Sequence, residues 1–256
     1  MFLFAFCFGL AAILGSRAGR GLPDENVWHG DSPLELPDGG YILTESDSDH
    51  FDIYDVLYYG IGEAIKNADK ADVIFLGNSR VLFAFREESV SAFSRGTGIR
   101  LFNLCFPAGD GVEMALRTME RNHLSPKIVV VNENYFFENG LSPYGEAAIQ
   151  GGYWRAWHDM AEDRMSWLFR RSIHRWFPRF GFGGTHSAVP YLACQSVEDG
   201  FLQTENFSSG RTPFPVKDTG EESVPSKEEL RIALNFKKEM DRKGVSIVLV
   251  NIPYDI

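Results

Sequence analysis

Between Phe51 and Ile256 the chain alternates short, continuously apolar runs with longer stretches in which apolar residues return every three or four positions. The first pattern predicts strands at 72–76, 100–104, 127–132 and 245–251; the second predicts helices at 54–68, 87–95, 110–122 and 226–243. Strands and helices follow one another in turn, the order of a parallel sheet covered by helical crossovers. The runs VIFL, IRLFNL, KIVVVN and VSIVLVN are apolar throughout rather than alternating, as expected of strands buried on both faces. The last helix carries its own start and stop signals. Ser226 and Glu229 form a capping box, and Gly244 ends the helical pattern just before the final strand.

Ahead of this body, residues 21–50 are rich in Pro, Gly, Asp and Ser and read as an extended lead-in. Residues 1–20 contain an unbroken apolar run, Phe2 to Leu14. As a helix it spans roughly 20 Å, short of a hydrocarbon core of about 30 Å. With Ser16-Arg17-Ala18 after it, the run reads as the end of a signal peptide or membrane anchor whose beginning is missing, or as a buried helix of the folded domain. The first of these implies an exported, membrane-attached protein on the extracytoplasmic, periplasmic side. The expected plan is then 1–20 signal or anchor, 21–50 lead-in, and one α/β domain over 51–256 with an insertion at 138–225.

Length permits this plan, since 256 residues suffice for one sizeable α/β domain. A net charge of -10 excludes a nucleic-acid partner, which clustered Lys and Arg would have to hold. Cys7, Cys105 and Cys194 share no metal-ligand spacing, so neither a metal site nor a disulfide framework is expected. No phosphate-binding glycine motif follows a strand, and no cofactor is expected.

Candidate chemistry concentrates just after the strands, because the ligand crevice of an open parallel sheet lies beyond their carboxyl ends. The first strand delivers Gly77, Asn78, Ser79 and Arg80; the second, Asn103 to Gly111 (NLCFPAGDG); the third, Asn132 to Asn134 (NEN). A hydroxyl, a glycine-rich turn leading into a helix, and a pair of carboxamides thus share one edge, and the turn's N–H groups can face an oxyanion. Each also has a plainer role. Ser79 can cap a helix. Gly109 and Gly111 can close a turn, as can Asn132 and Asn134. Arg80 can be solvated or ion-paired rather than hold a substrate anion.

Taken together these segments resemble the SGNH (GDSL-type) hydrolases and acyltransferases, over Ala71 to Phe137 and the final strand. The resemblance is closest to uncharacterised membrane-anchored bacterial members with LGNSR-, FNL- and PKVVVVN-like segments. It implies a three-layer, flavodoxin-like fold, with Ser79 as nucleophile, Gly109 as an oxyanion-hole glycine, and Asn132 or Asn134 as carboxamide donor. Arg80 and Asn103 are then substrate-binding candidates. Asn78 departs from the family's usual Asp, and VNEN from its usual Gly-x-Asn-Asp. The family's base, in an Asp-x-x-His after the last strand, has no counterpart before Ile256, which reads as a C-terminal truncation; His186 is the first substitute among His123, His158, His174 and His186. HGDSP at 29–33 and DSDH at 47–50 match family motifs literally but follow no strand.

The expected activity is that of a serine esterase or O-acyltransferase acting on acyl esters of a cell-envelope glycan. A non-catalytic binding module for an envelope polysaccharide or partner is the alternative. The membrane is a partner through the N-terminal segment. Within the insertion, Trp154, Trp157, Trp167 and Trp176 lie among Arg164, Arg170, Arg171, Arg175 and Arg179. This mixture suits a membrane interface or a sugar-binding face, or a helix pair docked on the sheet.

Overall fold

The computed structural model describes residues 41–45, 52–85, 87–106, 110–133, 136–138, 140–162, 165, 192–201 and 225–252. In chain order the elements are β1 (Tyr41–Glu45), α1 (Asp52–Tyr59), α2 (Ala64–Asp69), β2 (Val73–Gly77), α3 (Ser79–Ala84) and α4 (Glu87–Thr97). They continue with β3 (Leu101–Cys105), α5 (Val112–Arg121), β4 (Ile128–Asn132), α6 (Pro143–Gly151), β5 (Leu192–Ser196), α7 (Lys227–Lys243) and β6 (Ser246–Val250). A further helical run covers 153–162.

Four strands form a parallel sheet in the order β3-β2-β4-β6. Their apolar residues divide between two clusters by parity. Ile74, Leu76, Phe102, Leu104, Val129 and Val131 join α1, α2, α5 and α7 in the larger one. Val73, Phe75 and Cys105 join Val81 and Leu82 of α3, Val90 of α4, Phe201 and Ile252 in the smaller one. The expected α/β class and its parallel sheet are therefore present. Apolar residues of both parities are needed because both faces carry packed residues.

Asp72 sets the register at the amino ends of three strands. Its N–H and that of Val73 donate to the Arg100 carbonyl (2.8 and 3.1 Å), while its own carbonyl accepts from Lys127 and Ile128 (3.0 and 3.2 Å). Its carboxylate accepts from Lys127 Nζ (2.8 Å) and the Arg100 N–H (3.0 Å). The hydrogen bond from Lys127, followed by that from the Arg100 backbone, pulls the Asp72 carboxyl down to about 2.

Several expectations need correction. The helix predicted at 54–68 is two helices, broken where Gly60 and Gly62 adopt positive φ. β6 is an edge strand bonded among the described residues only to β4, and Val248 and Leu249 are about half exposed, so it is not buried on both faces. The lead-in contains β1, which pairs antiparallel with β5 of the insertion. The turn after β5 then closes the outer edge of β3, Asn103 N–H donating to the Asp199 carbonyl (2.8 Å). The N-terminal run Phe2–Leu14 lies outside the described residues, among which no helix is long and apolar enough to cross a membrane.

The capping box at Ser226 and Glu229 is formed, and Gly244 sits in the left-handed region. Ser226→Ala is expected to cost about 1 kcal/mol, read from urea unfolding. For Asp72→Asn, thermal melts are expected to show a deficit at neutral pH. Because the carboxyl is depressed, its contribution is complete above the ordinary range near 4 and is lost as pH falls toward about 2. The wild-type advantage should therefore narrow across that window.

Candidate functional site at the carboxyl edge of the sheet

Parallel pairing brings the ends of β2, β3 and β4 level: Gly77 lies opposite Cys105, and Leu76 opposite Val131. Gly77 is the crowded point of this edge. A Cβ on it would come within 2.4 Å of Val81 and 3.4 Å of the Asn132 Cβ, so the absence of a side chain lets the chain turn sharply into α3 beside β4.

Asn78, buried, is the N-cap of α3 and accepts the Arg80 N–H at 3.1 Å. Ser79 is the first helical residue. Capping, the plainer role open to Ser79 in sequence, thus belongs to its neighbour. The Ser79 side chain lies outside what the structure describes, as do Gly109 and Asn134. Arg80 is half-buried on the first turn of α3.

Asn132 ends β4 and is fully buried. Its Oδ1 accepts the Ile252 N–H at 3.3 Å, whereas its Nδ2 has no hydrogen-bond partner among the described residues. An amide with its acceptor engaged and its donors unspent costs free energy unless something else meets them. Asn103 is placed differently. It is the middle residue of β3, level with Phe75 and two positions short of the strand end, and both its side-chain polar atoms are buried without hydrogen-bond partners among the described residues.

The glycine-rich turn contributes a residue that sequence reasoning passed over. Asp110 is buried and accepts both the Ser142 N–H and the Ser142 hydroxyl at 2.6 Å. Ser142 is in turn the N-cap of α6, its Oγ accepting from Gly145 N–H at 3.1 Å. The Tyr54 hydroxyl bonds to the same carboxylate; burial, then the Asp110 charge, push that phenol far above its ordinary value, so it stays a neutral donor. Asp110 thereby ties the turn after β3 to α1 and to the start of the insertion. Two signals were available: an Asp between two glycines after a strand, and Ser142-Pro143, a helix-start pair.

Other reactive groups lie elsewhere. Burial pushes the Cys105 thiol well above its ordinary value, and it donates weakly to the Phe75 carbonyl. His123 is exposed beyond the end of α5, and His158 is exposed beside Asp159 and Glu162. His174 and His186 lie outside the described residues. Comparison with family models, curated proteins and solved structures returned no match.

Asp110→Ala should leave the Ser142 donors and the Tyr54 hydroxyl without their shared acceptor. A loss of about 3 kcal/mol is expected, as for removing a buried charged hydrogen-bond partner, measured by the urea midpoint. A change under about 0.5 kcal/mol would show that solvent replaces the carboxylate.

Proposed function

We propose that the chain is an extracytoplasmic SGNH-like serine esterase or O-acyltransferase, of three-layer flavodoxin-like architecture, acting on acyl esters of a cell-envelope glycan. The observation that supports this most is Asn132: a fully buried carboxamide at the carboxyl edge, with Oδ1 engaged and Nδ2 unspent, packed beside the Gly77 turn that leads into Ser79. A preorganised amide donor of this kind is what acyl transfer requires where negative charge develops.

In this reading Ser79 Oγ attacks the acyl carbonyl carbon, and its proton passes to a general base. Asn132 Nδ2 and the Gly109 N–H receive the oxyanion, with Asn134 the alternative carboxamide; Arg80 and Asn103 are assigned to substrate binding. Collapse breaks the bond to the alcohol oxygen, which leaves as the protonated alcohol, and the acyl group stays on Ser79. Water then takes it in hydrolysis, or a sugar hydroxyl takes it in transfer. The N-terminal apolar run fits export and attachment to the membrane.

A binding module for an envelope polysaccharide or partner is the second reading, favoured by where the described histidines stand. His123 follows α5 on the approach to β4, at the amino end of the sheet, and His158 faces solvent. His123 is thus at the opposite end of the sheet from the turn that leads into Ser79.

A fluorophosphonate probe decides between them. Catalysis predicts labelling of the wild-type chain that Ser79→Ala abolishes and Asn132→Ala slows by about 10²-fold or more, the usual cost of one oxyanion donor. Labelling that survives Ser79→Ala would remove Ser79 as nucleophile. No labelling, with retained binding of an acylated glycan, would establish the binding module.

A further inference from the structure

The segment that follows β6 reaches the candidate edge from two directions. The Glu133 N–H donates to the Val250 carbonyl at 3.0 Å, carrying the β4–β6 pairing one step past Asn132. Asn251 Nδ2 then donates to Glu133 Oε1 at 3.2 Å, and the Ile252 N–H to Asn132 Oδ1 at 3.3 Å. The Ile252 side chain is buried in the smaller cluster with Val81 and Leu82 of α3, the helix that Ser79 begins. Val81 and Asn132 are also the two residues that crowd Gly77. One residue thus meets the carboxamide with its backbone and the helix with its side chain.

A carboxamide has two unlike ends of nearly the same shape, and half a turn exchanges them. Which end Asn132 offers is therefore decided by its partners. A backbone N–H can be met only by an acceptor, so the Ile252 bond holds Oδ1 toward the chain after β6 and leaves Nδ2 as the unspent end. Reversed, the amide would set its nitrogen against the Ile252 N–H, donor against donor. It would also offer an oxygen where developing negative charge has to be received. The sign of this end of the edge is thus set by a residue 120 positions further along the chain.

We propose that Ile252 is a positioning residue: its N–H fixes the Asn132 carboxamide with Nδ2 as the free end, and Glu133 and Asn251 hold it in place to do so. The use of this latch in acyl transfer rests on the reading of Asn132 as an oxyanion donor. Because Ile252 also packs with Val81 and Leu82, displacing the segment after β6 releases the donor and loosens α3 in one movement.

Two readouts on the full chain separate the latch from that reading. Hydrogen exchange of the Ile252 amide, followed by NMR, is expected to be about tenfold faster or more in Asn132→Ala than in the wild type. It should stay slow in Asn132→Asp, which keeps an acceptor at that place. Ile252→Pro removes the N–H. It is expected to shift and broaden the Asn132 Nδ2 cross-peak and to slow fluorophosphonate labelling of Ser79 about tenfold, the weight of one hydrogen bond. Ile252→Val keeps the N–H and should recover both. If Ile252→Pro does not fold, judged by circular dichroism, the exchange comparison in the Asn132 variants decides. Equally fast Ile252 exchange in wild type and Asn132→Ala would overturn the latch. So would a folded Ile252→Pro chain in which the Asn132 cross-peak and the labelling rate are both unmoved. A wild-type chain that takes no label removes the acyl-transfer reading, while exchange and cross-peak still decide the latch.

Discussion

Strand β2 is bonded on one side to β3 and on the other to β4, all parallel and in register. Everything described at the candidate site follows from that pairing. A parallel strand has two neighbours whose ends point the same way, so the residues that follow β2, β3 and β4 must emerge along one edge. Asp72 reinforces the alignment from the far end, where one side chain and its backbone hold the approaches to β3 and β4 together. A slip of one residue would exchange the two apolar clusters, because successive side chains enter opposite faces. Register is thus enforced by core packing at the middle of the strands and by hydrogen bonding at their amino ends.

Buried polar groups mark where this scaffold departs from a purely apolar sheet, and they fall into two kinds. Asp110 is satisfied: it gathers two donors from Ser142 and one from Tyr54, and joins three segments distant in sequence. Asn132 and Asn103 are not, each keeping buried amide atoms without hydrogen-bond partners among the described residues. Satisfied groups of the first kind stabilise a unique arrangement; unsatisfied ones are a standing cost that a bound ligand can relieve. Their distribution distinguishes the roles. Asp110 builds the wall behind the edge, Asn132 stands at the edge, and Asn103 lies at mid-strand beneath the turn formed by Val197 to Phe201.

The insertion is joined to the sheet at both of its described ends. Its beginning is held by Ser142 on Asp110 and by Tyr59, whose hydroxyl donates to the Ala148 carbonyl at 2.5 Å and accepts from Gly152 N–H at 2.7 Å. Its return brings β5 against β1, and Phe201 into the smaller cluster, where it meets Phe75 and Phe85 edge-on. Such anchoring ties both described ends of the insertion to the body of the domain.

What the sequence determined by itself was local. Continuous apolar runs meant strands, three-to-four-residue spacing meant helices, and Ser226, Glu229 and Gly244 marked the ends of α7, because each signal is carried by neighbours along the chain. The same locality explains the misses. Nothing near Tyr41–Glu45 announces that its partner is Leu192–Ser196, about 150 residues away, since antiparallel pairing is a long-range choice. Nothing in VSIVLVN separates a central strand from an edge, since only the number of neighbours does so. Tertiary structure alone decided that Asn78 rather than Ser79 caps α3, that Asp110 is a buried hub, and that Asn132 keeps its donors while spending its acceptor on Ile252. In each case the deciding quantity is which atoms meet across the fold, and a residue's identity does not contain it.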